Sequence, residues 1–569
     1  MNDSEAATGK IWLRDYPPDV PAEIDPDSIP SLKHLYEDAC RRYAGLTAYS
    51  NMGRKLSYAD LEDMSRRFGA WLQNEAGLGK GDRVAIMMPN LLQYPIAIMG
   101  AHRAGCTVVN VNPLYTAREL EHQLADSGAS VIVIFENAGA TLAQVIGRTP
   151  VRRVVVTGIG DLLGFPKGAI TNFVIRRVKK MVPAWALPGA TRFKDALARG
   201  ASLALDPVEV GGEDVAFLQY TGGTTGVSKG AVLTHRNMVA NTLQVVSFVP
   251  ELTEVTNPAV ITALPLYHIF ALTTNMLVFT KVGGHNVLIT NPRDLPGFVR
   301  ELAKVKFTFI TGVNTLFNAL LNTPGFESLD FGSLKVALGG GMAVQAAVSE
   351  RWRKVTGRHI CQGWGLTESS PVGTANLPRE TEFTGSIGYP IPSTEVSIRD
   401  DAGKALPIGS VGEICLRGPQ VMRGYWNRPE ETAKVMLPGG WLRTGDIGRM
   451  DERGRTYLED RKKDMILVSG FNVYPTDVEQ VLYRHPKIQK VCVAGIPDEK
   501  TGEAVKAYVV LKPGESATEK EIVDWSRQHL TGYRVPHHIA FRDELPETMV
   551  GKVLRRVLVE EEKQQASAS

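Results

Sequence analysis

Residues 215–235 read Val-Ala-Phe-Leu-Gln-Tyr-Thr-Gly-Gly-Thr-Thr-Gly-Val-Ser-Lys-Gly-Ala-Val-Leu-Thr-His. Two strand-like apolar runs, Val215–Tyr220 and Ala231–Thr234, flank a loop in which residues 221–230 hold four glycines, three threonines, one serine and one lysine. Small or absent side chains let successive backbone N–H groups approach an anion, and the hydroxyls and Lys229 add donors and charge, so the loop suits a polyphosphate. It is not a Walker A loop, because Ser228 precedes Lys229 and Gly230 follows it, where that pattern needs Gly-Lys and then Ser or Thr. The alternative is a flexible surface turn, which so many hydroxyls between two apolar runs disfavour.

Upstream of this loop, Val84–Met88, Thr107–Val109, Val131–Phe135 and Val154–Val156 are continuous apolar runs separated by helix-length segments. A parallel sheet covered on both faces requires such runs. Ser57-Tyr-Ala-Asp60 reads as a capping box, with Leu61, Met64, Phe68, Trp71 and Leu72 at helical spacing until Gly77. Downstream, Asn286–Ile289, Phe307–Ile310 and Lys335–Leu338 repeat the βα arrangement, which predicts two packed α/β units. From about Gly385 the runs alternate between Gly and Pro turns, as in a small antiparallel barrel or sheet. The charged stretch Glu459–Asp464 marks a boundary, followed by a compact α+β unit with a strand at Ala507–Leu511 and a helix from about Thr518 to Leu530. The last residues, Gln564–Ser569, read as a frayed tail.

The chain has 569 residues, 43% of them hydrophobic, enough for a large core. A net charge of +3 gives no reason to expect a nucleic-acid partner, although residues 151–200 carry ten Lys and Arg against two Asp. Five cysteines without CxxC or clustered spacing point to reduced thiols and away from a metal site. The acidic N-terminus lacks an apolar core and no run is long enough to cross a bilayer, so a cytoplasmic location is expected.

Five further clusters follow the loop in order: Gly339-Gly-Gly341, Gln362-Gly-Trp-Gly-Leu-Thr-Glu368, Arg443-Thr-Gly-Asp446, Asp460-Arg-Lys-Lys-Asp464 with Ser469-Gly-Phe471, and Gly551-Lys552. With them the chain resembles the adenylate-forming acyl-CoA synthetases, most closely the bacterial long-chain fatty acid–CoA ligases, over nearly its whole length. The resemblance implies an α/β fold: a large N-terminal domain of two packed α/β subdomains and a small β-barrel-like subdomain (residues 1–461), then a small mobile α+β C-terminal domain (462–569) with its hinge near Lys463.

The chemistry it implies joins a fatty acid, ATP and coenzyme A into acyl-CoA, AMP and diphosphate through an acyl-adenylate, with Mg²⁺ offsetting phosphate charge. Thr221, Gly222, Gly223, Thr224, Thr225, Gly226 and Lys229 are then assigned to the triphosphate, Thr367 to the α-phosphate and Glu368 to the magnesium ion. Gly339, Gly340, Gly341, Gln362, Gly363 and Trp364 correspond to the adenine pocket, with Trp364 where close relatives usually carry tyrosine. Asp446 and Arg461 correspond to ribose contacts, Lys552 to the lysine of the adenylation step, and Gly470 to the place where the pantetheine arm passes. His268 corresponds to a gate near acyl and thiol entry. Each has a plainer reading: Glu368 as a solvated turn carboxylate, Asp446 as a turn aspartate, the glycines as a tight strand-to-helix turn, Lys463 and Lys552 as solvated cations, and His268 as a packed core histidine.

Asn172–Trp185 mixes apolar side chains with Arg176, Arg177, Lys179 and Lys180, so a helix there can lie on an anionic membrane surface, with Trp185 at the interface; an ordinary surface helix is the alternative. A homodimer is the assembly to consider. The rival activities are a medium-chain or aryl acid–CoA ligase, a non-catalytic ATP-binding module, and an NTPase releasing ADP.

Overall fold

The continuous apolar runs are strands because each has two faces to bury. The computed structural model describes residues 9–221, 228–469, 471–498, 500–548 and 553–568. In the strand Arg83–Met87, Val84 and Ile86 join one hydrophobic cluster while Ala85 and Met87 join another on the opposite face. Val131–Phe135 divides in the same way, with Val131 and Val133 on one side and Ile132 and Ile134 on the other. Alternation across the pleat, with apolar layers on both sides, accounts for the unbroken hydrophobic spelling.

These strands lie in an eight-stranded sheet ordered Gly424–Tyr425, Lys229–Thr234, Val215–Thr221, Thr107–Asn110, Arg83–Met87, Val131–Phe135, Arg153–Thr157 and Thr191–Arg192. A nine-stranded sheet carries the second series, its central strands Val336–Gly339, Phe309–Gly312, Ala259–Thr262 and His285–Leu288 all parallel. Its inner face contributes Val260, Leu288, Phe309 and Val336 to the cluster that also holds Val84 and Ile86, so one core lies between the two sheets. The early hairpin Thr47–Asn51 and Arg54–Ser57 pairs with His285–Leu288 in this second sheet and not with its chain neighbours.

The capping box forms as spelled: Asp60 N donates to Ser57 Oγ at 3.0 Å and Ser57 N donates to the Asp60 carboxylate at 2.8 Å, opening the helix Tyr58–Asn74. That helix crosses Gln93–Arg103 closely, because a Cβ on Gly69 would lie 2.9 Å from the Gly100 carbonyl oxygen. The region after Gly385 is a five-stranded antiparallel sheet built on Glu395–Arg399, Gly412–Arg417, Met436–Leu437, Trp441–Met450 and Thr456–Arg461. The C-terminal unit is a second five-stranded sheet with helices Pro475–Leu482, Glu519–His529 and Arg555–Ala568.

Two expectations change. Residues 172–185 are not one continuous helix: Lys167–Phe173 runs into a π-helical turn, Val174–Val178, and Lys180 takes a left-handed φ of 50°. Trp185 turns inward against Gly139, with Arg192 over its ring, and Arg176 is paired with buried Glu136 at 2.7 Å. The tail is not frayed at Gln564, since the last helix continues to Ala568. The five cysteines are buried and unbridged.

Candidate active site

The glycine-rich loop is the turn of a β-hairpin. Val215–Thr221 and Lys229–Thr234 pair antiparallel with Thr221 opposite Lys229, and Ser228 Oγ donates to the Thr221 carbonyl at 2.5 Å. The joining residues, including Gly222, Gly223, Thr224, Thr225 and Gly226, lie outside the described residues, as do Gly470, Gly551 and Lys552. Lys229 is ion-paired with Glu431 and lies over the Tyr425 ring, 5.1 Å from its centroid. The ammonium groups of Lys229 and Lys434 together hold the Glu431 carboxyl down at about 2.

Tyr425 arrives from far along the chain. Its two-residue strand adds to the hairpin with Tyr425 opposite Ala231, and the phenol then donates to Glu368 Oε1 at 2.7 Å. Burial first, and the Glu368 carboxylate second, push this phenol up, so it stays protonated as a donor. Thr367 and Glu368, both half-buried, occupy the 3-10 turn Thr367–Ser369 just past the end of strand Ile360–Gly365 in the nine-stranded sheet. The Met422 N–H donates to the Glu368 carbonyl at 2.8 Å.

His268 caps the short helix Ile269–Ala271, its Nδ1 accepting from the Phe270 N–H at 3.3 Å. Gln219 Nε2 donates to the Tyr267 carbonyl at 2.7 Å, and Thr273 Oγ1 donates to the Ser370 carbonyl at 2.7 Å. The histidine segment is thereby strapped between the hairpin and the Thr367–Glu368 turn, where two sheets meet.

The glycines divide. A Cβ on Gly339 would lie 2.6 Å from Val344 Cγ2 and one on Gly340 would lie 2.9 Å from the Gly363 carbonyl oxygen, so packing alone requires both. Gly341 is exposed and at φ +75°; a Cβ there would make only ordinary contact, 3.8 Å from Val313 Cγ1, so its left-handed backbone and not packing favours glycine. The Gln362 amide is occupied within the protein: Oε1 accepts from the Val344 N–H at 3.0 Å, and Nε2 donates to the Ser386 carbonyl at 2.9 Å. Trp364 is buried and its indole N–H donates to Asp446 Oδ2 at 2.8 Å. Asp446, 2% exposed, stands opposite Arg461 across the strand pair, with Arg461 Nε 3.0 Å from Oδ1. Lys463 is exposed in the turn that leads to the C-terminal unit, next to Asp464, which pairs with Arg555 at 2.8 Å.

One arrangement thus gathers a glycine-rich hairpin, a Thr-Glu turn, the exposed Gly341 and buried Asp446 with its Arg461 partner along the seam between sheets. Profile comparison matches the AMP-binding enzyme family to residues 36–426 and the AMP-binding enzyme C-terminal domain to residues 477–552. The chain belongs to the AMP-binding enzyme family. A long-chain-fatty-acid–CoA ligase of Yersinia pestis is 54% identical over 97% of this chain and 98% of its own length. A protein of the same name from Haemophilus influenzae is 50% identical over the same shares. Among solved structures of similar fold, the anthranilate CoA ligase AuaEII in complex with anthranoyl-AMP superposes with a TM-score of 0.83 at 25% identity, covering 96% of this chain and 99% of that one.

Within this AMP-binding enzyme, sequence reasoning did not single out Tyr425 or Glu431. A strand of two residues carries no periodicity, and its partner Glu368 is 57 residues away. Among the described residues no three His, Cys, Asp or Glu side chains gather into a metal-binding group, and no helix is long and apolar enough to cross a membrane.

Proposed function

We infer that this chain is an AMP-forming long-chain fatty acid–CoA ligase, joining a fatty acid to coenzyme A at the expense of ATP. The observation that carries this reading is identity of 50–54%, end to end, with long-chain-fatty-acid–CoA ligases. In this reading the carboxylate attacks the α-phosphate, releasing diphosphate, and the coenzyme A thiol then displaces AMP from the acyl-adenylate.

Residues 1–461 bind acid and ATP, and residues 462–569 turn about Lys463 between the two steps. Thr221, Thr224, Thr225 and Lys229 hold the triphosphate, aided by the backbone of Gly222, Gly223 and Gly226, and Thr367 serves the α-phosphate. Asp446 accepts from the ribose hydroxyls beside Arg461; the adenine lies along Gly339–Gly341 and Gln362–Trp364. Lys552 neutralises charge at the reacting carboxylate and α-phosphate, His268 guards acyl and thiol entry, and Gly470 leaves room for pantetheine. Glu368 fits a hard divalent cation: it is a half-buried carboxylate oriented by a neutral phenol, with phosphate and water to complete the shell. Bound Mg²⁺ there would offset phosphate charge.

Peripheral contact with an anionic membrane on the cytoplasmic face belongs to the same reading. It is supported by exposed Phe165, Ile170, Phe173, Val178 and Met181 beside exposed Arg177, Lys179 and Lys180. Sedimentation with anionic vesicles, compared with neutral ones, tests it.

The decisive assay incubates the purified protein with ATP, Mg²⁺ and coenzyme A across acids from acetate to oleate. AMP and acyl-CoA in equal amounts, best at long chains, is the expected result. The same products only from short or aryl acids move the chain to a sister activity, and ADP or no turnover overturns the ligase.

A further inference from the structure

Trp364 is sunk in the protein, 7% exposed, with its six-membered ring against Gly373, where a Cβ would lie 3.1 Å from Cζ3. Its one polar atom is committed: Nε1 donates to Asp446 Oδ2 at 2.8 Å, across 82 residues and from one sheet to another. Asp446 Oδ1, by contrast, is buried, stands 3.0 Å from Arg461 Nε as an ion pair, and makes no aligned hydrogen bond. A buried acceptor left without a hydrogen bond costs on the order of 1–3 kcal/mol, which a hydroxyl donor relieves.

We propose that Trp364 is a positioning residue for nucleotide recognition: its indole N–H pins Oδ2 of Asp446, so that Oδ1, steadied by Arg461 and without a hydrogen bond inside the protein, is the oxygen reserved for the ribose hydroxyls. The proposal rests on Asp446 being the ribose acceptor. A carboxylate has two oxygens and can rotate about its bond to Cβ; occupying one of them with a fixed donor sets the plane and reserves the other. A phenylalanine keeps an apolar ring and loses the donor, but it is smaller than the indole. The tyrosine usual in close relatives carries its hydroxyl at the tip of a single ring, whereas the indole presents its N–H from the side of a bicycle.

The test compares the full-length protein with Trp364→Phe, Asp446→Asn and the double variant, using ATP and 2′-deoxy-ATP. Expected for Trp364→Phe is a KM for ATP raised about tenfold with kcat little changed, as for loss of a hydrogen bond to a charged group. Its preference for ATP over 2′-deoxy-ATP should fall to that of Asp446→Asn, and the double variant should lose nothing further. Trp364→benzothienylalanine, the same bicycle with sulfur in place of N–H, repeats the measurement without a change of shape. If these variants keep the full preference while Asp446→Asn loses it, the indole does not act through Asp446 and the proposal is overturned. If Asp446→Asn also keeps it, the ribose assignment falls and takes the proposal with it.

Discussion

Tyr425 donates its phenolic hydrogen to Glu368 Oε1 at 2.7 Å, joining the last-added strand of the eight-stranded sheet to the turn that follows a strand of the nine-stranded one. The bond fixes one oxygen of the carboxylate read as the cation ligand. Tyr425→Phe should lower kcat/KM about five- to tenfold, the scale of a half-buried hydrogen bond to a charged group, and raise the Mg²⁺ concentration needed for half-maximal rate. Titrating Mg²⁺ at saturating ATP checks this. An unchanged Mg²⁺ dependence would remove Tyr425 from the metal's support.

Glu431 competes for Lys229. The pair is partly solvated, so its net worth is small, and a triphosphate must draw the ammonium away from it. Glu431→Gln should therefore lower the KM for ATP, by no more than about fivefold, with kcat kept. A raised KM would mean that Glu431 holds Lys229 in place for the nucleotide.

Lys552→Ala should depress acid-dependent exchange of diphosphate into ATP by about 10²–10³-fold, as expected for removal of a group that meets charge in the transition state. Thermal melting should be unchanged, as expected for a lysine proposed to act in the reaction. Exchange at the wild-type rate would refute the assignment.

Acid should weaken the fold before it reaches the carboxylate range. Burial lowers His102 and His285 from an ordinary 6.5 to about 4, and burial followed by the neighbouring His102 pushes His235 well below it. These imidazoles stay neutral when folded and take protons once unfolded, so stability is complete above pH 6.5 and falls as pH drops toward 4. For a shift of this size each of the first two contributes a loss of roughly 1.4 kcal/mol between pH 8 and 5.5. Asp477, raised by burial to about 6, works the other way and offsets part of it. Urea unfolding at the two pH values measures the difference, and His285→Gln should shrink it by about 1 kcal/mol. A flat profile, or no change in His285→Gln, would contradict the burial of these rings.

Much of the fold was legible in the chain. Val131–Phe135 is a strand at the predicted residues, and Ser57 and Asp60 cap their helix as spelled, because both patterns depend only on near neighbours. Residues 172–185 were expected as one helix and are not, because hydrophobic and cationic composition does not reveal that Arg176 finds Glu136 or that Trp185 fits beside Gly139. Glycine told half its story: Gly339 and Gly340 are required by Val344 and by the Gly363 carbonyl, contacts that no spacing discloses, whereas at Gly341 the left-handed φ of +75° favours glycine without any close neighbour.

The sequence by itself determined the α/β class, the two series of buried strands, the glycine-rich loop between two apolar runs and the ordered clusters that name the family. Pleat, cap and turn preferences act over a few residues, so they are written locally. Only the tertiary structure decided that Trp364 meets Asp446, that Tyr425 meets Glu368 and that the hairpin Thr47–Ser57 joins the second sheet. Those contacts depend on which strand edges pair and where separate sheets converge. Pairing across tens or hundreds of residues is set by burial of the whole core, which no local stretch of sequence records.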